Sequence, residues 1–124
     1  MTSQKILICD DDHTVLKLYR MILEQKGFKE LELAQNGKEA INKYEEAVEK
    51  PTIVIMDHRM PLLSGLDAMK IILEKNNRTR IIFASADSTV KNEVLSMGAF
   101  AFISKPFDIE ELLNSIRSAL NSIK

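Results

Sequence analysis

A short apolar run followed by a longer stretch with apolar residues at helical spacing recurs five times, and this alternation constrains the fold more than any other feature of the chain. Lys5–Cys9 (K-I-L-I-C) reads as a buried strand. Val15, Leu18, Tyr19, Ile22 and Leu23 mark the helix after it, with Gly27 at the C-terminal stop. Leu31 and Leu33 alternate with Glu30 and Glu32, the pattern of a half-exposed edge strand. Asn36-Gly37 then turns the chain into a second helix carrying Ala40, Ile41, Tyr44, Ala47 and Val48, closed by Pro51. The run I-V-I-M from Ile53 suits a strand buried on both faces, and it meets a single carboxylate, Asp57, before the chain breaks at Pro61. After Gly65 a third helix presents Leu66, Met69, Ile72 and Leu73 inward.

The second half repeats the alternation. Arg80–Ser85 is a buried strand, and Ser88 is placed as the N-cap of a helix carrying Val90, Val94 and Leu95 that ends at Met97-Gly98. Phe100–Ser104 is the fifth strand, running into Lys105-Pro106-Phe107. Asp108 with Glu111 forms a capping-box pattern ahead of Ile109, Leu112, Leu113, Ile116 and Leu120. Right-handed crossovers between successive strands then require a parallel sheet with helices on both faces, a doubly wound α/β domain. At 124 residues, with no linker or low-complexity segment, the chain reads as one domain spanning 1–124.

Charge excludes several functions. Seventeen basic residues against 18 acidic ones leave a formal net charge of −1, which argues against a general electrostatic grip on nucleic acid or anionic lipid. The single cysteine, Cys9, lies in an apolar strand and reads as a small buried hydrophobe of a reducing compartment. The N-terminal M-T-S-Q-K has no apolar signal region, and no apolar run approaches the roughly 20 residues of a membrane span. A cytoplasmic location with no membrane insertion is therefore expected.

Chemistry concentrates where the strands end. In an open α/β sheet, ligands bind beyond the carboxyl edges of the strands. Asp10 and Asp11 follow the first strand, Asp57 ends the third, Ser85 ends the fourth and Lys105 follows the fifth. Two ionised carboxylates about 4 Å apart repel by roughly 4 kcal/mol at an effective dielectric near 20, so such a cluster binds a cation or holds a proton. Mg²⁺ suits it, being a hard ion that takes oxygen ligands and keeps positions open for water or phosphate.

The motif Asp57-x-x-Met60-Pro61-x-x-x-Gly65, preceded by Asp10-Asp11 and followed by Ser85-Ala86 and Lys105-Pro106, resembles the receiver domain of two-component response regulators over essentially the whole chain. The resemblance implies a flavodoxin-like (βα)5 fold with strand order 2-1-3-4-5. That order comes with the family, a chemotaxis receiver being a standard example of it, and is not read from these residues. It further implies that Asp57 is the phosphoacceptor, taking a phosphoryl group from a phosphohistidine on a histidine kinase or phosphotransfer protein. Asp10, Asp11 and Asp57 would ligate Mg²⁺ together with the backbone carbonyl of Arg59. Lys105 would pair with the phosphoryl oxygens, and Ser85 would donate its hydroxyl to them. The activity would be self-modification: the acyl phosphate also hydrolyses within the domain, and no separate substrate is turned over.

The same resemblance implies a switch in which Ser85 moves toward the phosphoryl group and an aromatic residue on the fifth strand, here Phe102, turns inward. That movement would alter the surface of the fourth helix, fifth strand and fifth helix for a downstream protein. Phe102 lacks the hydroxyl of a tyrosine, so its readout would be by packing. Arg59 and Asp87, two residues after Asp57 and Ser85, flank the entrance in receivers and could pair as a gate against water. The plainer alternatives are two solvated side chains, or Asp87 serving the next helix N-terminus. Asp12 reads as an N-cap rather than a ligand, and His13 and His58 as non-ligands, with His58 directed away from Asp57.

Rival chemistries fit less well. An FMN carrier would need a Ser-, Thr- and Gly-rich first loop, which here is triply acidic. A haloacid-dehalogenase-like phosphatase or a toprim nuclease would want an acid two residues beyond Asp57, where Arg59 stands. A degenerate receiver serving as a scaffold would lack a part, and none is missing. With the fifth helix ending the chain, a stand-alone receiver, monomeric or dimerising on phosphorylation, is the simplest expectation. A receiver fragment of a longer regulator is the other.

Overall fold

The computed structural model describes residues 4–123. The elements are β1 (Lys5–Cys9), α1 (His13–Gln25), β2 (Glu30–Ala34), α2 (Gly37–Glu46), β3 (Ile53–Asp57) and α3 (Gly65–Lys75). They continue with β4 (Arg80–Ser85), a 3-10 turn (Ser88–Val90), α4 (Lys91–Met97), β5 (Ala101–Ser104) and α5 (Ile109–Ile123). All neighbouring strands pair in parallel, in the order β2-β1-β3-β4-β5. This is the expected doubly wound fold with the expected strand order.

The central strands β1, β3 and β4 are apolar along most of their length because both sheet faces are covered, while the edge strand β2 alternates Glu with Leu. Alternation along each strand sends Leu7, Cys9, Val54, Met56, Ile81 and Phe83 to the face packed by α2, α3 and α4. Ile6, Ile8, Ile53, Ile55, Ile82 and Ile103 go to the face packed by α1 and α5. These side chains are essentially fully buried, and truncating one such isoleucine to alanine typically costs about 2–5 kcal/mol. The central strands are thus held from both sides, which fixes where their carboxyl ends emerge.

Several helix details differ from the sequence expectations. On α1, Leu18 is 52% exposed and Leu16 is buried in its place, because the face of the helix that meets the sheet carries Leu16, Tyr19 and Leu23. Helix α2 ends at Glu46, so Val48 falls beyond it and is 99% exposed. Lys50 there donates to the Tyr44 and Glu45 carbonyls and terminates the helix before Pro51 is reached. Leu95 and Ile109 are exposed rather than inward. Ser88 is not a cap: Asp87 holds that place, accepting from Thr89 N–H at 3.0 Å. The expected caps at Asp12 and Asp108 form, the latter accepting from Glu111 N–H at 2.7 Å, and Asn36 and Ser64 cap α2 and α3 in addition.

Candidate functional site

The β1 ladder extends one residue past Cys9, since Asp10 N–H donates to Ala34 carbonyl at 3.0 Å. That bond holds Asp10 in line with the strand, only 2% exposed, while Asp11 stands free in solvent. Asp12 turns away to cap α1. Asp57 is the last residue of β3, opposite Ala84 in β4. Its backbone is clamped by the start of α3: Gly65 N–H donates to His58 carbonyl at 2.9 Å, and a Cβ on Gly65 would collide with the Asp57 carbonyl oxygen. Only glycine allows so close an approach.

Ser85 and Lys105 arrive from the other side. Ser85 ends β4 opposite Ser104, and its carbonyl accepts from Lys105 N–H at 2.9 Å. The Lys105-Pro106 peptide bond is cis. The lysine side chain then runs back across the strand ends, its Nζ donating to Asp10 Oδ2 at 2.8 Å and to Asp57 Oδ1 at 3.0 Å. Ser85 is buried, and its hydroxyl oxygen accepts from Asp87 N–H at 3.0 Å. Together Asp11, Asp57, Arg59, Ser85, Asp87, Thr89 and Lys105 line an open cleft of about 840 Å³.

Asp10, Asp11 and Asp57 each bring a carboxylate oxygen within 4.8 Å of the others. Burial pushes the Asp57 carboxyl above its ordinary value and Asp10 adds to the effect, while hydrogen bonding and charge from Lys105 oppose it. Burial works against the Lys105 ammonium too, but the two carboxylates outweigh it and hold that group above its ordinary value. Three crowded acids with one lysine form a set of hard oxygen donors still short of positive charge. Their donor chemistry fits Mg²⁺.

The entrance carries a second charged pair. Arg59 Nη2 lies 3.7 Å from Asp87 Oδ2, with the arginine side chain 83% exposed. Asp87 does both things its sequence position allows, one oxygen capping the 3-10 turn and the other facing Arg59. Hydrogen bonds from the Thr89 hydroxyl and N–H, and then Arg59, hold its carboxyl below the ordinary value. Thr89 lines the cleft and fixes Asp87; a threonine two residues past an acid, where it can bond back to it, was the sequence signal for that role.

His13 is exposed at the start of α1. His58 does point away from the cluster, its ring packed on Phe83 with centroids 5.7 Å apart, as the alternation from Asp57 requires. Cys9 is buried beneath the site, its Sγ 3.1 Å from Met60 Sδ and 3.3 Å from the Asn36 carbonyl. Burial, with the nearby acids, pushes its thiol well above the ordinary range, so it is a packing residue and not a nucleophile.

Comparison with known proteins agrees with this arrangement. Residues 6–117 match the family described as "Response regulator receiver domain". The chain is 35% identical over 121 residues to the chemotaxis protein CheY of Bacillus subtilis, covering 96% of this chain and 99% of that protein. It is 35% identical to the regulatory protein AtoC of Escherichia coli over 94% of this chain but 25% of that protein. A chain in the crystal structure of the CheX–CheY–BeF3–Mg²⁺ complex from Borrelia burgdorferi superposes with a TM-score of 0.89 and 30% identity, over 94% of this chain and 89% of that one. The chain belongs to the receiver domains of two-component response regulators, and is CheY-like among them.

Proposed function

We propose that Asp57 accepts a phosphoryl group from a phosphohistidine of a histidine kinase or phosphotransfer protein. The observation that carries this reading is the Lys105 ammonium seated between Asp10 and Asp57, with Asp11 completing the cluster. A carboxylate oxygen of Asp57 attacks phosphorus, the P–N bond breaks and the electron pair leaves with the donor imidazole. In the reverse half of the cycle water attacks the same phosphorus, releasing inorganic phosphate and restoring the carboxylate. Neither step asks covalent chemistry of other side chains; both are governed by position and charge.

Asp10, Asp11, Asp57 and the Arg59 carbonyl would hold Mg²⁺, which when bound neutralises charge on the phosphoryl oxygens and orients them. Lys105 exchanges its carboxylate partners for a phosphoryl oxygen, and its position beside Asp57 means it need not travel far. Ser85 donates its hydroxyl to another, which pulls the loop carrying Asp87 toward Asp57. Phe102 then turns inward, and the surface of α4, β5 and α5 changes for a downstream protein. Arg59 and Asp87, paired across the cleft mouth, slow the approach of water and lengthen the life of the acyl phosphate.

We infer a receiver that acts by itself, in the cytoplasm and through protein contact; its match over 99% of the length of CheY supports the first part, and a net charge of −1 supports action without a general grip on nucleic acid. The second reading is a receiver that is part of a longer regulator, the setting in which AtoC carries the stretch that this chain matches, 25% of that protein. Among the described residues no helix is long and apolar enough to cross a membrane.

Incubation with acetyl phosphate and Mg²⁺, followed by intact mass, tests the phosphoacceptor reading. A single phosphoryl adduct that needs Mg²⁺ and vanishes in Asp57→Asn is expected. No adduct with any phosphodonor would leave a protein-binding scaffold instead.

A further inference from the structure

His58, directly after Asp57, takes no part in the phosphoryl chemistry. Strand alternation sends its ring to the opposite face from the Asp57 carboxylate, against Phe83 of β4 at a centroid distance of 5.7 Å. Phe83 in turn stacks on Phe102 of β5, at 6.4 Å and an interplanar angle of 16°. The two phenylalanines are direct neighbours in the β4–β5 register, so the three rings form a row across the sheet from the residue after Asp57 to the proposed switch residue.

The three members differ in freedom. His58 is fixed at its backbone, since its carbonyl accepts from Gly65 N–H and Gly65 abuts the preceding carbonyl. Its ring is packed on Phe83, and Nδ1 is buried with no hydrogen-bond partner among the described residues. Phe83 is fully buried, and a close-packed interior passes a displacement on rather than absorbing it. Phe102 is only half-buried, packed at the edge of the same cluster. A row with one end anchored at its backbone, an enclosed middle and a half-exposed end acts as a stop.

We propose that His58 is a positioning residue for the switch, its ring holding Phe83 in place and thereby holding Phe102 outward until Asp57 is phosphorylated. The proposal rests on the receiver reading of Phe102 given above and adds a second connection to it, independent of Ser85. It also accounts for an imidazole with an unpartnered nitrogen at this position: what the fold uses there is a planar ring of that size. Removing the ring opens space behind Phe83, so that Phe102 can turn inward without phosphorylation. Whatever favours the inward state in the free protein must also tighten binding of a ligand that selects that state.

The test places 4-fluorophenylalanine at position 102 of the full chain and follows its ¹⁹F resonance with Mg²⁺ alone and with Mg²⁺ plus beryllofluoride, alongside beryllofluoride affinity. In the wild type the resonance moves on loading. In His58→Ala the unloaded resonance is displaced by at least about a third of that movement toward the loaded position, and beryllofluoride binds about threefold more tightly. General loosening of the fold would weaken binding, so the direction of the affinity change separates a stop from mere structural damage. His58→Val, which leaves a smaller gap and covers the case of an unfolded alanine variant, shifts both readouts the same way by less. His58→Phe restores wild-type behaviour. Unchanged unloaded spectra in the alanine and valine variants, weaker binding in them, or a phenylalanine variant that behaves like alanine each overturn the proposal. A wild-type resonance that binding of beryllofluoride leaves unmoved overturns the Phe102 switch itself, and the stop with it.

Discussion

Lys105 Nζ joins two carboxylates from two other strands, 2.8 Å from Asp10 and 3.0 Å from Asp57, across 95 and 48 residues of sequence. The lysine thus cancels repulsion that the cluster would otherwise carry. Lys105→Ala leaves Asp10 and Asp57 facing each other without it, and removing one partner of a partly buried pair is costly. The expected loss is about 2 kcal/mol in urea melts without divalent cation. Added Mg²⁺ should recover at least half of it, because the ion supplies the missing charge. A loss that Mg²⁺ leaves unchanged would contradict the shared role of lysine and metal.

Asp57 has the opposite sign. Burial, then Asp10, hold its carboxyl above the ordinary value, so the folded protein keeps the proton to higher pH than the unfolded chain does. Ionising it costs the fold stability as pH rises from the ordinary Asp range through the raised folded value. Without metal, Asp57→Asn should therefore be more stable than wild type at pH 7. The difference closes as pH falls below the ordinary Asp value, where the carboxyl is neutral in both the folded and the unfolded state. Thermal melts at stepped pH in chelator measure it, and a variant less stable at pH 7 would refute the charge argument.

Gly65→Ala should damage function more than its size suggests. The added methyl meets the Asp57 carbonyl, so either α3 or the end of β3 must move. A cost of about 3 kcal/mol or more is expected. Phosphorylation by acetyl phosphate should fall at least about tenfold in whatever fraction stays folded, because positioning dominates the chemistry. Wild-type rates in a folded variant would show that the clamp does not position Asp57.

The Arg59–Asp87 pair predicts a kinetic effect with little change in fold. Arg59→Ala and Asp87→Ala should each speed loss of the phosphoryl group by about threefold, and the double variant by no more than either alone, since the pair acts as one unit. Loss of ³²P or of the intact-mass adduct over time reports this. Additive effects would mean that each side chain acts on water separately.

Much of this arrangement was legible in the residues, and the misses have physical causes. Strand runs such as Ile53–Asp57 announce themselves because a strand buried on both faces must be apolar at every position, and the acids at strand ends then share one edge without further information. Asp12 and Asp108 were readable as caps because a cap is a local interaction. Leu18 falls outside the inward stripe because the face of α1 that meets the sheet is decided by packing against separate segments, and Val48 falls outside α2 because Lys50 bonds the Tyr44 carbonyl and shuts that helix early. The Gly65 clamp and the tilted packing of His58 on Phe83 are contacts between separate segments that no spacing along the chain encodes.

In the proposed reaction Asp57, and no other carboxylate of the cluster, carries the phosphoryl group. Borohydride reduces an acyl phosphate to an alcohol, so reduction after treatment with acetyl phosphate and Mg²⁺, followed by peptide mass spectrometry, reads the position directly. Homoserine is expected in place of aspartate in the peptide containing Asp57, dependent on Mg²⁺, with Asp10 and Asp11 unreduced. Reduction at Asp10 or Asp11, or none anywhere despite a phosphoryl adduct, would contradict it.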